Sequence, residues 1–235
     1  MKTGADYIVE PPDLFGRRFV CGFGTQELFV RIGNREQVGE VIKANHYSGT
    51  VVWSSNLHLF IFWQDAIIGA MQFGPAMNPA SGANIVSGAT ADEWLELNRL
   101  ALSDDKPEHA ASRSIAYGIR CIRAMRPRVK WIQSFADERC GKLGAIYQAC
   151  SFVYCGVHVG RFFELDGEMF HQSAWGRKDK RGWGIGPKLT RFNENRDRAV
   201  KKTFKQYRYI KFIDTRYRKR LLLTSLPYPK PGIPL

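Results

Sequence analysis

Four short groups of residues hold side chains able to do acid–base or binding chemistry. Asn45-His46-Tyr47-Ser48 offers an imidazole that titrates near neutrality and a phenol that can donate a hydrogen bond or hold a substrate ring. The same residues also suit a helix-ending turn with a packed aromatic. Arg99 stands among apolar residues in the run LELNRLAL. An arginine there is costly to bury unless paired or liganded, and its fork of donors suits phosphate or carboxylate as well as a salt bridge on a solvated strand. Ser112 and Arg113 follow at the start of a predicted helix, whose N-terminus could receive a phosphate, although no glycine-rich fingerprint accompanies them. Ser134-Phe135-Ala136-Asp137 ends a predicted strand, and open α/β sheets collect functional residues at such ends. Asp137 equally suits a helix cap, and Ser134 lies in no G-x-S-x-G elbow. Tyr147, one helix further on, fits an acid toward a leaving group, a ring against a base, or a core residue. The histidines (His46, His58, His109, His158, His171) include no H-x-x-x-H pair, so their spacing points to no metal site.

Elements must bring these groups together. Residues 1–20, with Pro11 and Pro12, read as irregular lead-in, and a short strand falls within Phe23–Ile32. Val38, Val41 and Ile42 give helical spacing to Arg35–His46, and Gly49 suits the turn after it. Leu57–Trp63 and Ile67–Phe73 form a hairpin around Gln64-Asp65. Asn78–Ala89 reads as loop. Glu93–Leu102 fits strand or helix, with the preceding hairpin favouring strand, and Ala110–Met125 reads as a helix stopped by Pro127, with Ser112 or an earlier loop residue as its cap. The sequence then predicts strand Val129–Ala136, helix Asp137–Ala149, strand Phe152–Val157 and a second hairpin, Arg161–Leu165 with Glu168–His171. This alternation implies an α/β chain with a mixed central sheet flanked by helices. Arg181–Pro187 reads as loop, Asn193–Tyr209 as a basic helix, Lys211–Leu223 as helix or extended arm, and the last proline-rich residues as irregular.

Charge divides the chain. Its formal net charge is +13, and Arg177–Arg220 holds 17 of the 35 basic residues and 4 of the 22 acidic ones, which accounts for the whole excess. The expected organisation is therefore a neutral catalytic body, residues 1–176, and a basic C-terminal extension, 177–235, that binds nucleic acid. Lys201, Lys202, Lys205, Arg208, Arg216, Arg218, Lys219 and Arg220 would neutralise phosphates, and interleaved aromatics would stack on exposed bases. An anionic membrane surface competes as a partner for the same charge. No apolar run reaches the ~20 residues of a membrane helix, and the N-terminus lacks a secretory pattern. Five cysteines without a C-x-x-C pair suit a reducing cytosol and argue against a cysteine-rich zinc site. With 44% hydrophobic residues the chain can bury a sizeable core.

Together, NHYSG from Asn45, ELNRLAL from Glu96, and SFAD, IYQA and FVYCG between Ser134 and Gly156 resemble the phage Mom DNA-modification proteins, over roughly Gln37 to Arg177. That resemblance implies a fold like the GNAT acyltransferases. It implies conversion of adenine in double-stranded phage DNA to N6-(methylcarbamoyl)adenine, which protects the DNA from host restriction in the bacterial cytoplasm. It places catalytic roles on His46, Tyr47, Ser134, Asp137 and Tyr147, and cofactor binding on Arg99, with Ser112 and Arg113 nearby. It also implies acetyl-CoA or another acyl-CoA as group source, with iron as a participant; a homodimer is compatible with it. Where acyltransferases carry a glycine-rich pyrophosphate loop, this chain has SDDKPEHAASRS instead, which sets ordinary acetyl transfer in question. Two other readings fit the residues: a non-enzymatic DNA-binding protein on a degenerate acyltransferase fold, and an N-acetyltransferase acting on protein or RNA.

Overall fold

The computed structural model describes residues 6–9, 20–141, 143–175 and 186–232. They form one ten-stranded mixed sheet with helices on both faces. In chain order the strands are β1 (Asp6–Val9), β2 (Val20–Gly24), β3 (Leu28–Ile32), β4 (Leu57–Trp63), β5 (Ala66–Gly74), β6 (Trp94–Leu102), β7 (Trp131–Asp137), β8 (Val153–Leu165), β9 (Glu168–His171) and β10 (Val200–Phe212). Their spatial order is β1-β2-β3-β4-β5-β6-β7-β10-β8-β9. All neighbours run antiparallel except β6 and β7. The helices are α1 (Arg35–Asn45), α2 (Ala110–Met125), α3 (Ala145–Ala149) and α4 (Pro187–Glu194).

Local chemistry explains these elements. The Asn34 side chain caps α1 by accepting from the Gln37 amide at 2.8 Å. Val38 and Ile42, one turn apart, bury against Ala70 and Ala101. On α2, Ile115, Ile119 and Ile122 share one stripe and join Leu59, Met71 and Leu97 on the opposite sheet face. Alternation along β5 sends Ala70 and Met71 to these two faces, so α1 and α2 lie on opposite sides of the sheet.

The junction of β6 with β7 shapes the molecule. The strands pair only over Trp94–Glu96 and Trp131–Gln133. Trp94 and Trp131 stack there with centroids 4.6 Å apart and planes 3° from parallel, fully buried and worth about 1 kcal/mol beyond the area they hide. Past Glu96 the strands separate. A register shift places Leu97 and Arg99 opposite Phe73 and Gln72, so Asn98 is an extra residue that bends β6 toward β5. β7 stays with β10, and a fork opens between β6 and β7.

Several sequence expectations change. Residues 6–9, within the expected lead-in, form an edge strand. The single strand expected in Phe23–Ile32 is part of a hairpin, β2–β3. The helix expected over Asp137–Ala149 breaks into a 3-10 turn, Glu138–Cys140, and the short α3, because Gly141 and Gly144 take positive φ. A Cβ on Gly144 would stand 2.4 Å from the Tyr209 ring, so only glycine fits. The expected strands 152–157 and 161–165 are one strand of 13 residues, β8. The basic helix expected over Asn193–Tyr209 is instead the end of α4 followed by β10. In VKKTFKQYRYIKF the aromatic and β-branched content, with Tyr207 and Tyr209 buried on one face, favours strand.

The expected boundary between 176 and 177 and most of the loop 181–187 lie outside the described residues. The basic segment beyond it is not laid beside the body. β10 fills the gap between β7 and β8, pairing from Gln206↔Asp137 to Phe212↔Trp131 on one side and from Val200↔Glu164 to Ile210↔Val153 on the other. Its first residues, 200–205, outrun β7 and pair with β8 alone. This ribbon carries β9 and α4 around a small core of Leu165, Phe170, Ala174 and Phe192. After a 3-10 turn, Thr215–Arg220, the chain returns across the sheet through bridges Val86↔Leu221 and Tyr154↔Leu226.

Candidate active site

His46 and Tyr47 leave α1 where its helix ends, and Asp137 ends β7. The Tyr47 hydroxyl donates to Asp137 Oδ2 at 3.1 Å, joining residues 90 apart in sequence. The Tyr47 side chain is otherwise largely exposed. Asp137 is 8% exposed. Its carboxylate accepts from the Arg139 amide at 3.0 Å, from Arg139 Nε at 3.0 Å and from Nη2 at 2.5 Å. Burial by itself would raise the Asp137 pKa. The Arg139 hydrogen bonds and charge, with a smaller contribution from Tyr47, outweigh it and hold the group below the ordinary carboxylate range. Asp137 therefore caps the following turn, as one sequence reading had it, and is also an engaged anion rather than a free base.

Arg139 escaped the sequence reading. Its guanidinium sits 4.3 Å from the Phe162 ring centroid, 5.3 Å from Phe204 and 5.6 Å from Tyr47. Phe162 belongs to β8 and Phe204 to β10, so the basic segment builds one wall of the site. The D-x-R spacing was the available signal. Asp214 and Arg216 repeat it with the same local bonds, but Arg216 is 86% exposed. Spacing alone does not separate the two.

His46 stacks obliquely on Tyr47 at 4.4 Å. Its Nδ1 accepts from the Ser48 amide at 3.2 Å and lies 2.8 Å from Ser48 Oγ. That amide contact assigns the remaining proton to Nε2. Burial first, then the Arg99 charge, push the imidazole pKa down to about 4 against the pull of Asp137. His46 is thus a neutral ring presenting a donor. Ser48 Oγ continues to Thr50 Oγ1 at 3.1 Å, and Arg99 donates to the Thr50 carbonyl at 2.9 Å and to Thr50 Oγ1 at 3.3 Å. A third Arg99 bond goes to the Asn98 carbonyl at 2.7 Å. Arg99 pins the loop that carries His46, and it makes no salt bridge among the described residues.

Ser134 and Tyr147 stand on the α2 side of the fork. Ser134 Oγ donates across it to the Leu97 carbonyl at 3.4 Å. Tyr147 is buried, donates to the Phe135 carbonyl at 3.5 Å, and packs against Phe152 and Tyr209. Burial pushes its pKa up to about 12. Ser112 and Arg113 lie in the first turn of α2 and join neither group. Ser112 Oγ donates to the His109 carbonyl at 3.1 Å, and Arg113 Nη2 to Thr25 Oγ1 at 3.4 Å. The cap position of α2 is His109, without a side-chain bond, so Ser112 does not cap the helix.

The eight basic residues expected to grip DNA divide by environment. Lys201, Lys205, Arg218 and Lys219 are exposed and form no ion pair among the described residues. Lys202 meets Glu164 at 3.3 Å and Arg216 meets Asp214 at 2.7 Å. Arg220 donates to the Ser87 carbonyl at 2.7 Å and lies 4.4 Å from the Tyr217 ring centroid. Arg208 is half-buried beside Phe135. The described residues around Asp137 do not fit an iron site. Both Asp137 oxygens already accept from Arg139, whereas non-haem iron typically takes two imidazoles and a free carboxylate. Among the described residues no three His, Cys, Asp or Glu side chains converge. No helix among them is long and apolar enough to cross a membrane.

A family model described as the Mom protein family matches residues 27–230. The chain is 42% identical over 214 residues to the methylcarbamoylase Mom of Escherichia phage Mu, an alignment spanning 90% of this chain and 87% of that protein. Among solved structures it is similar to RimL, a ribosomal L7/L12 alpha-N-protein acetyltransferase in complex with coenzyme A, with TM-score 0.45, 12% identity, and coverage of 80% and 95%. It is also similar to a GNAT-family acetyltransferase from Streptococcus pneumoniae, with TM-score 0.46, 13% identity, and coverage of 80% and 99%. At those scores the structural likeness bears on neither substrate nor cofactor.

Proposed function

Since the chain belongs to the Mom protein family, we propose that it is a transferase-type enzyme converting adenine in duplex DNA to N6-(methylcarbamoyl)adenine, shielding phage DNA from restriction inside the host cytoplasm. The observation that carries this reading is the meeting of Tyr47 with Asp137 at the fork, beside His46. The motifs that carry the family resemblance supply all three residues.

The adenine N6 amine is conjugated with its ring and weakly nucleophilic, so positioning and charge stabilisation must do much of the work. Asp137, locked by Arg139, fixes the Tyr47 phenol. Burial first, and then the Asp137 charge, keep that phenol protonated. Neutral His46 aims its Nε2–H as a donor toward charge developing on an acyl oxygen. Arg99 holds the loop that carries both rings.

An acyl-CoA is the proposed group source, and the fork is its place. Beyond Glu96 the β6 backbone has no strand partner on the β7 side, so an extended amide-bearing tail can lie along it. Arg113, in the first turn of α2, is the cation we assign to its anionic end. When bound, such a donor supplies an electrophilic thioester carbonyl. An acetyl group alone lacks the nitrogen of a methylcarbamoyl product.

The test is mass spectrometry of nucleosides from DNA of cells expressing the chain. Methylcarbamoylated deoxyadenosine is expected, and Asp137→Asn should reduce it by about 100-fold or more in protein that still folds by circular dichroism. Unmodified DNA that the soluble protein still binds points to a non-enzymatic binding protein. Unmodified DNA with acetylated protein or RNA points to an N-acetyltransferase.

A further inference from the structure

On the sheet face away from α2, the fork holds a polar group that the motifs do not mark. Gln133 and Phe135, two apart on β7, share this face. Gln133 is 4% exposed, and its Nε2 donates to Glu96 Oε2 at 3.2 Å. With Nε2 bonded to Glu96, the amide oxygen is turned away from it, and that buried Oε1 has no hydrogen-bond partner. Opposite Phe135, β10 supplies Arg208, whose guanidinium lies 5.4 Å from the Phe135 ring centroid. Its Nε is buried without a hydrogen-bond partner. Asn98 Nδ2 bonds the other Glu96 oxygen at 3.4 Å. Glu96 and Arg208 are close enough to perturb each other's titration.

An orphaned buried acceptor and an orphaned buried donor group cost free energy unless something completes them. Between them is an aromatic wall. The complement is a planar ligand with an N–H donor adjacent to a ring-nitrogen acceptor, which describes the amino edge of adenine. We infer that Gln133, Phe135 and Arg208 form the subsite that recognises the target adenine after it leaves the DNA stack. One N6–H donates to Gln133 Oε1, Arg208 donates to a neighbouring ring nitrogen, and Phe135 supplies the apolar wall. The choice of base rests on the adenine-modification reading; the donor–acceptor pattern does not.

The experiment measures binding by fluorescence anisotropy, without acyl donor, to duplexes whose mismatched target is adenine or nebularine, the purine lacking the amine. Wild type should bind the adenine duplex roughly 10-fold more tightly. Gln133→Met should abolish that preference, while Arg208→Lys, which keeps charge but loses the fork, should weaken both. Coenzyme A binding should be unchanged in each folded variant. Equal wild-type affinity for the two duplexes, or loss of coenzyme A binding in place of base preference, overturns the subsite. Wild type that prefers adenine yet leaves cellular DNA unmodified overturns the enzymatic reading and leaves the subsite standing.

Discussion

Arg139 is the residue on which the site's electrostatics turn. It neutralises Asp137, which is 8% exposed, while itself only 23% exposed, so removing it strands a buried charge. Arg139→Met should destabilise the protein by about 3 kcal/mol. Arg139→Met with Asp137→Asn should melt higher than Arg139→Met alone, because the double variant leaves no uncompensated carboxylate. Additive losses in thermal melts would contradict this. His46 makes a separate pH prediction. Its folded pKa of about 4 lies below the unfolded 6.5, so the unfolded chain binds more protons in between, and stability rises with pH across that window. The wild-type Tm should fall as pH drops from 6.5 toward 4, and His46→Gln should flatten that slope. Sequence chemistry singled out His46, Tyr47, Arg99 and Asp137 by type. It could not show that Arg99 would spend its donors on backbone, or that Asp137 would be occupied.

At the level of elements, β10 combines two tasks. Its C-terminal half is buried sheet, and its first residues expose Lys201 and Lys205 on a ribbon that outruns β7. The turn after it exposes Arg218 and Lys219. Changing these four to Gln should reduce the slope of log K against log salt for DNA by about 3 to 4 while leaving the melt near wild type. An unchanged slope would assign the charge another role. The hairpin β4–β5 was legible as two apolar runs split by Gln64-Asp65, and helix α2 from its stop at Pro127, whereas the β6 segment fitted strand or helix until the hairpin before it favoured strand. β10 was not legible, since a basic strand with aromatics every second or third residue satisfies helical and strand templates over short windows. Only its partners β7 and β8, far away in sequence, select the strand.

For the whole molecule, the position of β10 makes the C-terminal quarter part of the folding unit. A chain ending at residue 199 loses the strand between β7 and β8, exposing the edges of both and the faces of Tyr147 and Tyr154 that Tyr207 and Tyr209 cover. It should fail to give a cooperative melt; a cooperative melt with intact near-ultraviolet circular dichroism would show a self-sufficient body. The sequence by itself determined the α/β character, the location of the charge excess and the residue types at the site, because period, composition and side-chain chemistry are local properties. The tertiary structure alone decided that the basic segment enters the sheet, that Phe162 and Phe204 wall the site, and that β6 and β7 part after three rungs. Those outcomes depend on which distant strands pair and which side chains lose water, and no local window of sequence contains either.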